Sequence, residues 1–287
     1  MKDYPEVFPP QKQDQHPGVE ADMDPKPIYI REGYKGSGKL QDKVAIITGG
    51  DSGIGRSVAV HFAEEGANVA IIYTKHEQVD AEKTKQEVES RGRQCLLFEG
   101  DQSIKSFCEN TVDSVVETFG HLDILVNNAA VQQPDDNIED IPEEKIKRTF
   151  EVNVYGYFFF TQAALKHMKE GAAIINTSSV NAFKGNDMLI DYSTTKGANL
   201  AFSRSIALKL MDKGIRVNTV APGPIWTPFI VSGMPKEMVA VFGKQTEMGR
   251  AGQPAELGPA YVYLACEDSS YVSGQTIHVN GGSIVGG

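Results

Sequence analysis

A chain of 287 residues and 31.3 kDa, 40% hydrophobic with mean hydropathy −0.29, can bury a sizeable core: one large α/β domain, or at most two small ones. Its net charge of −10 and pI near 5.1, with no local basic run, argue against nucleic-acid and anionic-membrane partners. No apolar run reaches the roughly 18–20 residues that span a bilayer, Met1–Glu6 carry no apolar leader, and Cys95, Cys108 and Cys266 suit neither a disulfide framework nor a metal knuckle, so the expectation is a cytoplasmic, metal-independent protein.

Residues 1–40 stand apart. Pro5, Pro9, Pro10, Pro17, Pro25 and Pro27 remove backbone donors and favour extended neighbours, so neither a helix nor a central strand is expected there. Two readings remain: a disordered tail, or an arm anchored by Phe8, Ile28, Tyr29, Ile30 and Tyr34 on its own domain or a neighbouring subunit. Regular punctuation then begins. Val44–Ile47 reads as a buried strand, residues 53–65 as a helix stopping at Gly66, and Val69–Tyr73 as the next strand. A helix-like segment, a glycine and an apolar run recur at Gly92 before Cys95–Phe98 and at Gly120 before Leu122–Val126. The same sequence of signals returns at Gly171 before Ala172–Ile175 and at Gly214 before Ile215–Val220. Gln275–Val279 is the last strand. Continuous apolar strands alternating with helices predict an α/β fold, a doubly wound seven-stranded parallel sheet, with residues 41–287 as one domain.

The first strand runs into Thr48-Gly49-Gly50-Asp51-Ser52-Gly53-Ile54-Gly55. Glycines at the first strand-to-helix joint let backbone approach a pyrophosphate whose charge meets the helix N-terminus. A plain tight turn is the bland reading, and the lack of a following Gly-Lys-Ser/Thr excludes a nucleoside-triphosphate loop. The acid that grips adenosine ribose hydroxyls is expected about 20 residues on. That count reaches Tyr73-Thr74-Lys75, with a lysine and no carboxylate, which favours NADP while leaving NAD possible; a solvated Lys75 is the alternative. Asp101, past the third strand, is placed to accept from an adenine amino group or to cap the helix near Ser103.

Tyr192-Ser193-Thr194-Thr195-Lys196 puts a phenol and an ammonium on one helix face. The pair gains weight from Ser179, 13 residues upstream at the carboxyl end of a strand, where open α/β sheets bind ligands. Asn153 lies mid-helix despite its poor propensity, and a buried residue satisfying backbone is its bland reading.

With these residues in hand, the chain resembles the short-chain dehydrogenase/reductases. Thr48–Gly55, Asn127-Asn128-Ala129-Ala130, Asn153, Ser179, Tyr192-x-x-x-Lys196 and Pro222-Gly223-Pro224-Ile225-Trp226-Thr227 follow that family's order and spacing over about residues 40–285. Ala130 departs, standing where the family usually has glycine. Gly50-Asp51-Ser52-Gly53, Ala221–Pro228 and the Pro-rich arm are similar to the branch holding general-stress and glucose and ribitol dehydrogenase-like proteins. The resemblance implies hydride transfer between a nicotinamide cofactor and an uncharged sugar, polyol or aldehyde, usually in a homotetramer. It implies cofactor contacts at Gly49, Asp51, Ser52, Gly53, Ile54 and Gly55, at Tyr73, Lys75, Asp101 and Gln102, and at Asn128 and Ala129. It implies further contacts at Tyr192 and Lys196 and, around the carboxamide, at Pro222, Gly223, Ile225 and Thr227.

In the implied chemistry Tyr192 exchanges a proton with the substrate oxygen, and Ser179 holds that oxygen. A free tyrosine titrates near 10, so the Lys196 ammonium and the oxidised nicotinamide are expected to favour phenolate. By resemblance Lys196 also holds the nicotinamide ribose, and Asn153 anchors a water linking Lys196 to solvent. Residues 228–251, rich in glycine and methionine, suggest a mobile lid over the substrate. The competing reading is a non-catalytic dinucleotide sensor, which has no need of Asn153, Ser179, Tyr192 and Lys196 together.

Overall fold

The computed structural model describes residues 4–286. Strands β1 (Val44–Thr48), β2 (Asn68–Tyr73), β3 (Cys95–Glu99), β4 (Ile124–Asn127), β5 (Ala173–Thr177), β6 (Arg216–Pro222) and β7 (Thr276–Val279) form one sheet. Every pairing is parallel, in the order β3-β2-β1-β4-β5-β6-β7. Between and after them run α1 (Gly53–Glu64), α2 (Gln78–Glu89), α3 (Lys105–Phe119), α4 (Glu143–Phe150), α5 (Gly156–Ala164), α6 (Asn181–Lys184), α7 (Ile190–Leu210), α8 (Pro228–Gly233), α9 (Lys236–Ala240) and α10 (Gly258–Ala265).

Successive residues of a pleated strand point to opposite faces, so an unbroken apolar strand needs cover on both. On one face Ala45 and Ile47 of β1 join Val58 and Phe62 of α1, Val88 of α2 and Tyr261 of α10. On the other, Val44 and Ile46 join Val112 of α3, Phe160 of α5 and Leu210 of α7. The five glycine joints read from the sequence all carry positive φ, from 65° at Gly214 to 98° at Gly66, so each reverses the chain in a conformation other residues avoid. The strand order reverses between β1 and β4. That switch point opens a crevice at the carboxyl ends of those strands.

The N-terminal segment is an arm lying on its own domain. Phe8 stacks on Trp226 with ring centroids 3.7 Å apart, and both are buried with Met23, Ile230, Val231 and Phe242 in a third, smaller core. Trp226 Nε1 donates to Pro25 O at 2.9 Å, Gln13 N to Val231 O at 2.8 Å, and Tyr34 Oη to Glu65 at 2.7 Å. As the prolines require, its regular structure is one short turn, Glu20–Asp22. Residues 228–251 hold α8 and α9 and pack against the arm through this third core. Among the described residues no helix is long and apolar enough to cross a membrane.

Candidate functional site

A cavity of about 570 Å³ lies at the switch point and is walled by Gly49, Asn128, Thr177 and Pro222 at or beside the strand ends. Thr48 Oγ1 accepts the backbone N–H groups of Asn128 and Ala129 at 2.9 and 3.0 Å, while Asn128 Nδ2 donates to Thr48 O at 3.1 Å. These bonds stitch the ends of β1 and β4 together. The glycines are then compelled. A Cβ on Gly55 would lie 1.8 Å from Gly49 O, and one on Gly49 (φ 62°) would meet Ala129 Cα at 3.1 Å. The loop therefore offers bare backbone at the start of α1, the arrangement that receives a pyrophosphate.

Across the cavity stand Ser179, just past β5, and Tyr192 and Lys196 on α7. The Lys196 ammonium is 1% exposed, donates to Thr177 O at 2.9 Å and Tyr157 Oη at 3.4 Å, and lies 5.5 Å from the Tyr192 ring centroid. Burial drives it down to about 7. Burial also pushes Tyr192 up to about 12, against a smaller lowering from its hydrogen bond with Ser179. Within the protein alone, desolvation outweighs that hydrogen bond and favours the protonated phenol.

Asn153 sits in a π-helical turn, Glu151–Tyr155, between α4 and α5. It is 0% exposed. Its Oδ1 accepts Val131 N–H at 2.8 Å, and its Nδ2 donates to Val131 O at 2.9 Å and to Thr195 Oγ1 at 3.1 Å. The side chain ties the cavity wall at Val131 to the helix bearing Tyr192.

At the end of β2 the picture changes. Tyr73, Thr74, His76 and Glu77 line the cavity with Asp51 and Ser52, but exposed Lys75 does not. Thr74 opens a tight turn whose capping box, Thr74 with Glu77, leaves Lys75 exposed. Two residues beyond Lys75, Glu77 accepts Thr74 N–H at 2.9 Å, and in the glycine loop buried Asp51 leaves Oδ2 without a partner among the described residues. Burial, then Glu77 beside it, pushes Asp51 well above the usual carboxylate range, and burial raises Glu77. Asp101 lines the cavity, accepts Ser103 N–H at 2.9 Å and pairs with Arg148 at 2.8 Å, which hold its carboxyl below the usual range. The helix it was expected to cap begins later, at Lys105. Gln102 spans Ala129 O and Val152 O at 3.0 and 2.8 Å.

Ile54, Ala129, Gly223, Ile225 and Thr227 also line the cavity, as do Phe229, Ile230, Met234 and Phe242 from the segment expected as a lid. Gly55 lies behind this surface. The sequence reading missed His16, Pro17 and Gly18, which bring the arm into the wall. His16 Nδ1 meets Ser232 Oγ at 2.8 Å, its Nε2 accepts Gln132 N–H at 3.2 Å, and Pro17 O bonds His76 Nε2 at 2.7 Å. Burial lowers His16 to about 4. The only local signal was a Pro-Gly turn; nothing in spacing joins partners 116 and 216 positions apart.

Comparison with known proteins adds to this geometry. The family model described as "Enoyl-(Acyl carrier protein) reductase" matches residues 49–283. General stress protein 39 of Bacillus subtilis is 53% identical over 285 residues, covering 99% of both chains. Glucose and ribitol dehydrogenase of Daucus carota is 52% identical, covering 98% of each. The chloroplastic NADPH-dependent aldehyde reductase 1 of Arabidopsis thaliana is 50% identical, covering 96% of this chain and 98% of the other. A short-chain dehydrogenase from Burkholderia cenocepacia, solved in complex with NADP, superposes with a TM-score of 0.79 at 30% identity, covering 85% of this chain and 98% of that one.

Proposed function

This chain belongs to the short-chain dehydrogenase/reductase family of oxidoreductases, and from that premise we propose that it interconverts a small uncharged carbonyl compound and its alcohol using NADP(H). The observation that carries the reading is the meeting of Ser179, Tyr192 and Lys196 across one cavity from a bare glycine loop. NADP is favoured by its presence in the Burkholderia cenocepacia complex and by the NADPH dependence of the Arabidopsis reductase. The residues fit such a group: the glycine loop offers backbone without Cβ atoms at the pyrophosphate end.

When bound, the nicotinamide supplies or takes up the hydride. The chain's part is orientation and one proton. Ser179, hydrogen-bonded to Tyr192, holds the substrate oxygen, and Tyr192 in its protonated form donates to that oxygen during reduction. Lys196, titrating near 7, then stands 5.5 Å from the tyrosine ring to stabilise and recharge the phenolate left behind. Asn153 is a positioning residue that fixes the wall at Val131. The substrate is read as a sugar, polyol or aldehyde by likeness to the carrot dehydrogenase and the Arabidopsis reductase, and Phe229 stands 6.0 Å from the Tyr192 ring. Residues 228–251 would act as its lid.

The same reading includes a cytoplasmic homotetramer. Tyr155 and Phe158 of the π turn and α5 remain 50% and 41% exposed beside buried Tyr157 and Phe160, more aromatic surface than one chain covers. Light scattering at the mass of one 31.3 kDa chain would refute the assembly. The central test is Tyr192→Phe, assayed at 340 nm with NADPH against aldehydes and sugars. It should lose about 10²–10⁴-fold in kcat/KM while still binding NADPH, since only the proton donor is removed. Near-normal turnover would sink the mechanism.

A further inference from the structure

The glycine loop is held from behind by the arm. Glu20 is 2% exposed and outside the cavity lining. One of its carboxylate oxygens accepts Gly53 N–H at 2.7 Å, and the other pairs with Arg56 Nη1. Arg56 Nε donates to Asp51 O at 2.9 Å, and its Nη2 lies 3.3 Å from the Asp80 carboxylate. Asp80 in turn accepts the backbone N–H groups of Glu20 and Ala21. The ring of contacts closes: arm, loop, Arg56, Asp80, arm. Its front side, Asp51-Ser52-Gly53, is cavity wall.

We propose that Glu20 is a positioning residue for dinucleotide binding, its carboxylate fixing the Gly53 peptide and, through Arg56, the Asp51 carbonyl, so that the loop is already set when a pyrophosphate arrives. The inference rests on the dinucleotide reading above. A buried carboxylate beside a phosphate site would be expected to repel the ligand. Here Arg56 compensates its charge, and it stands behind the loop rather than in the cavity. Removing one partner of such a buried network leaves the others uncompensated, which loosens the loop without touching the residues that meet the substrate.

Four proteins test this: wild type, Glu20→Ala, Glu20→Gln and Phe8→Ala. The last loosens the arm at the Phe8–Trp226 stack and leaves the Glu20 contacts in place. NADPH affinity is read by fluorescence titration, loop protection by hydrogen exchange of residues 49–55 without dinucleotide, and stability by melting. Glu20→Ala should raise Kd and KM for NADPH about ten- to a hundredfold, leave kcat and the carbonyl KM nearly unchanged, and speed exchange of the loop. Glu20→Gln, which keeps an acceptor for Gly53 N–H but no charge for Arg56, should fall between and serves if the alanine variant does not fold. Phe8→Ala should lower the melting temperature with Kd unmoved. Wild-type Kd and exchange in the folded Glu20 variants would overturn the inference, as would an equal Kd rise in Phe8→Ala. Failure of wild type to bind NADPH would instead overturn the dinucleotide reading on which it stands.

Discussion

Replacing Asn153 by alanine should weaken the fold and the site together. The substitution removes three hydrogen bonds, of 2.8, 2.9 and 3.1 Å, from a side chain that is 0% exposed. Each bond contributes about 0.5–1.5 kcal/mol net, and an orphaned buried group costs about 1–3 kcal/mol. Val131 N–H and C=O both lose their partner, so a total of about 3–4 kcal/mol is expected. At about 2–4 °C per kcal/mol for a domain of this size, the melting temperature should fall about 6–15 °C. Thr195, the third partner, donates to Tyr192 O at 2.7 Å, so kcat should fall as well. Asn153→Asp keeps the acceptor for Val131 N–H but sets an oxygen against Val131 O, and should be no better. Calorimetric melting with parallel NADPH-linked turnover reads both effects. A folded alanine variant melting within about 2 °C of wild type, with unchanged kcat, would refute the tie between wall and helix.

Lys75→Glu should move the NADPH to NADH ratio of kcat/KM by less than about twofold, because the residue is exposed and screened by salt; a tenfold shift would return Lys75 to the cofactor site. His16 gives a pH test. Its folded value of about 4 lies below the ordinary 6.5, so the unfolded chain binds the proton more readily. Stability from this group is full above 6.5 and is lost as pH falls toward 4, by up to about 3 kcal/mol. Melting temperatures of wild type and His16→Gln measured across that window should converge on acidification, and parallel curves would refute the assignment.

The seven parallel strands and their cover on both faces were legible because they depend on short-range pattern: apolar runs alternating with helices that end at glycines able to adopt positive φ. Tyr192 and Lys196 were legible because four residues span one helical turn. Asn153 was visible as an anomaly, yet its work was not, since its partner Val131 is 22 positions away on a wall that pattern does not encode. The surroundings of Lys75 were not legible, because counting from the glycine loop fixes where β2 ends and says nothing of the turn that follows. There Thr74 and Glu77 cap each other and the lysine is left outside. The charge state of Tyr192 was only half legible, because an adjacent ammonium is visible in the spacing while the desolvation that opposes it belongs to the packed cavity.

The arm also bears on the order in which the molecule is made. His16 leaves the ribosome 216 residues before Ser232, its partner on α8. At about 5–20 residues per second, that gap lasts about 10–40 s. Throughout it Phe8 and Met23 lack Trp226, Ile230 and Val231, the side chains they pack against, although β1, β2 and the glycine loop are already outside. Glu20 can meet Gly53, Arg56 and Asp80 as soon as the dinucleotide half forms, while the apolar part of the arm, Phe8 with Met23, closes last. Its own prolines suit that wait: a segment poor in donors and unable to form a helix has little with which to mispair while the rest of the sheet is built.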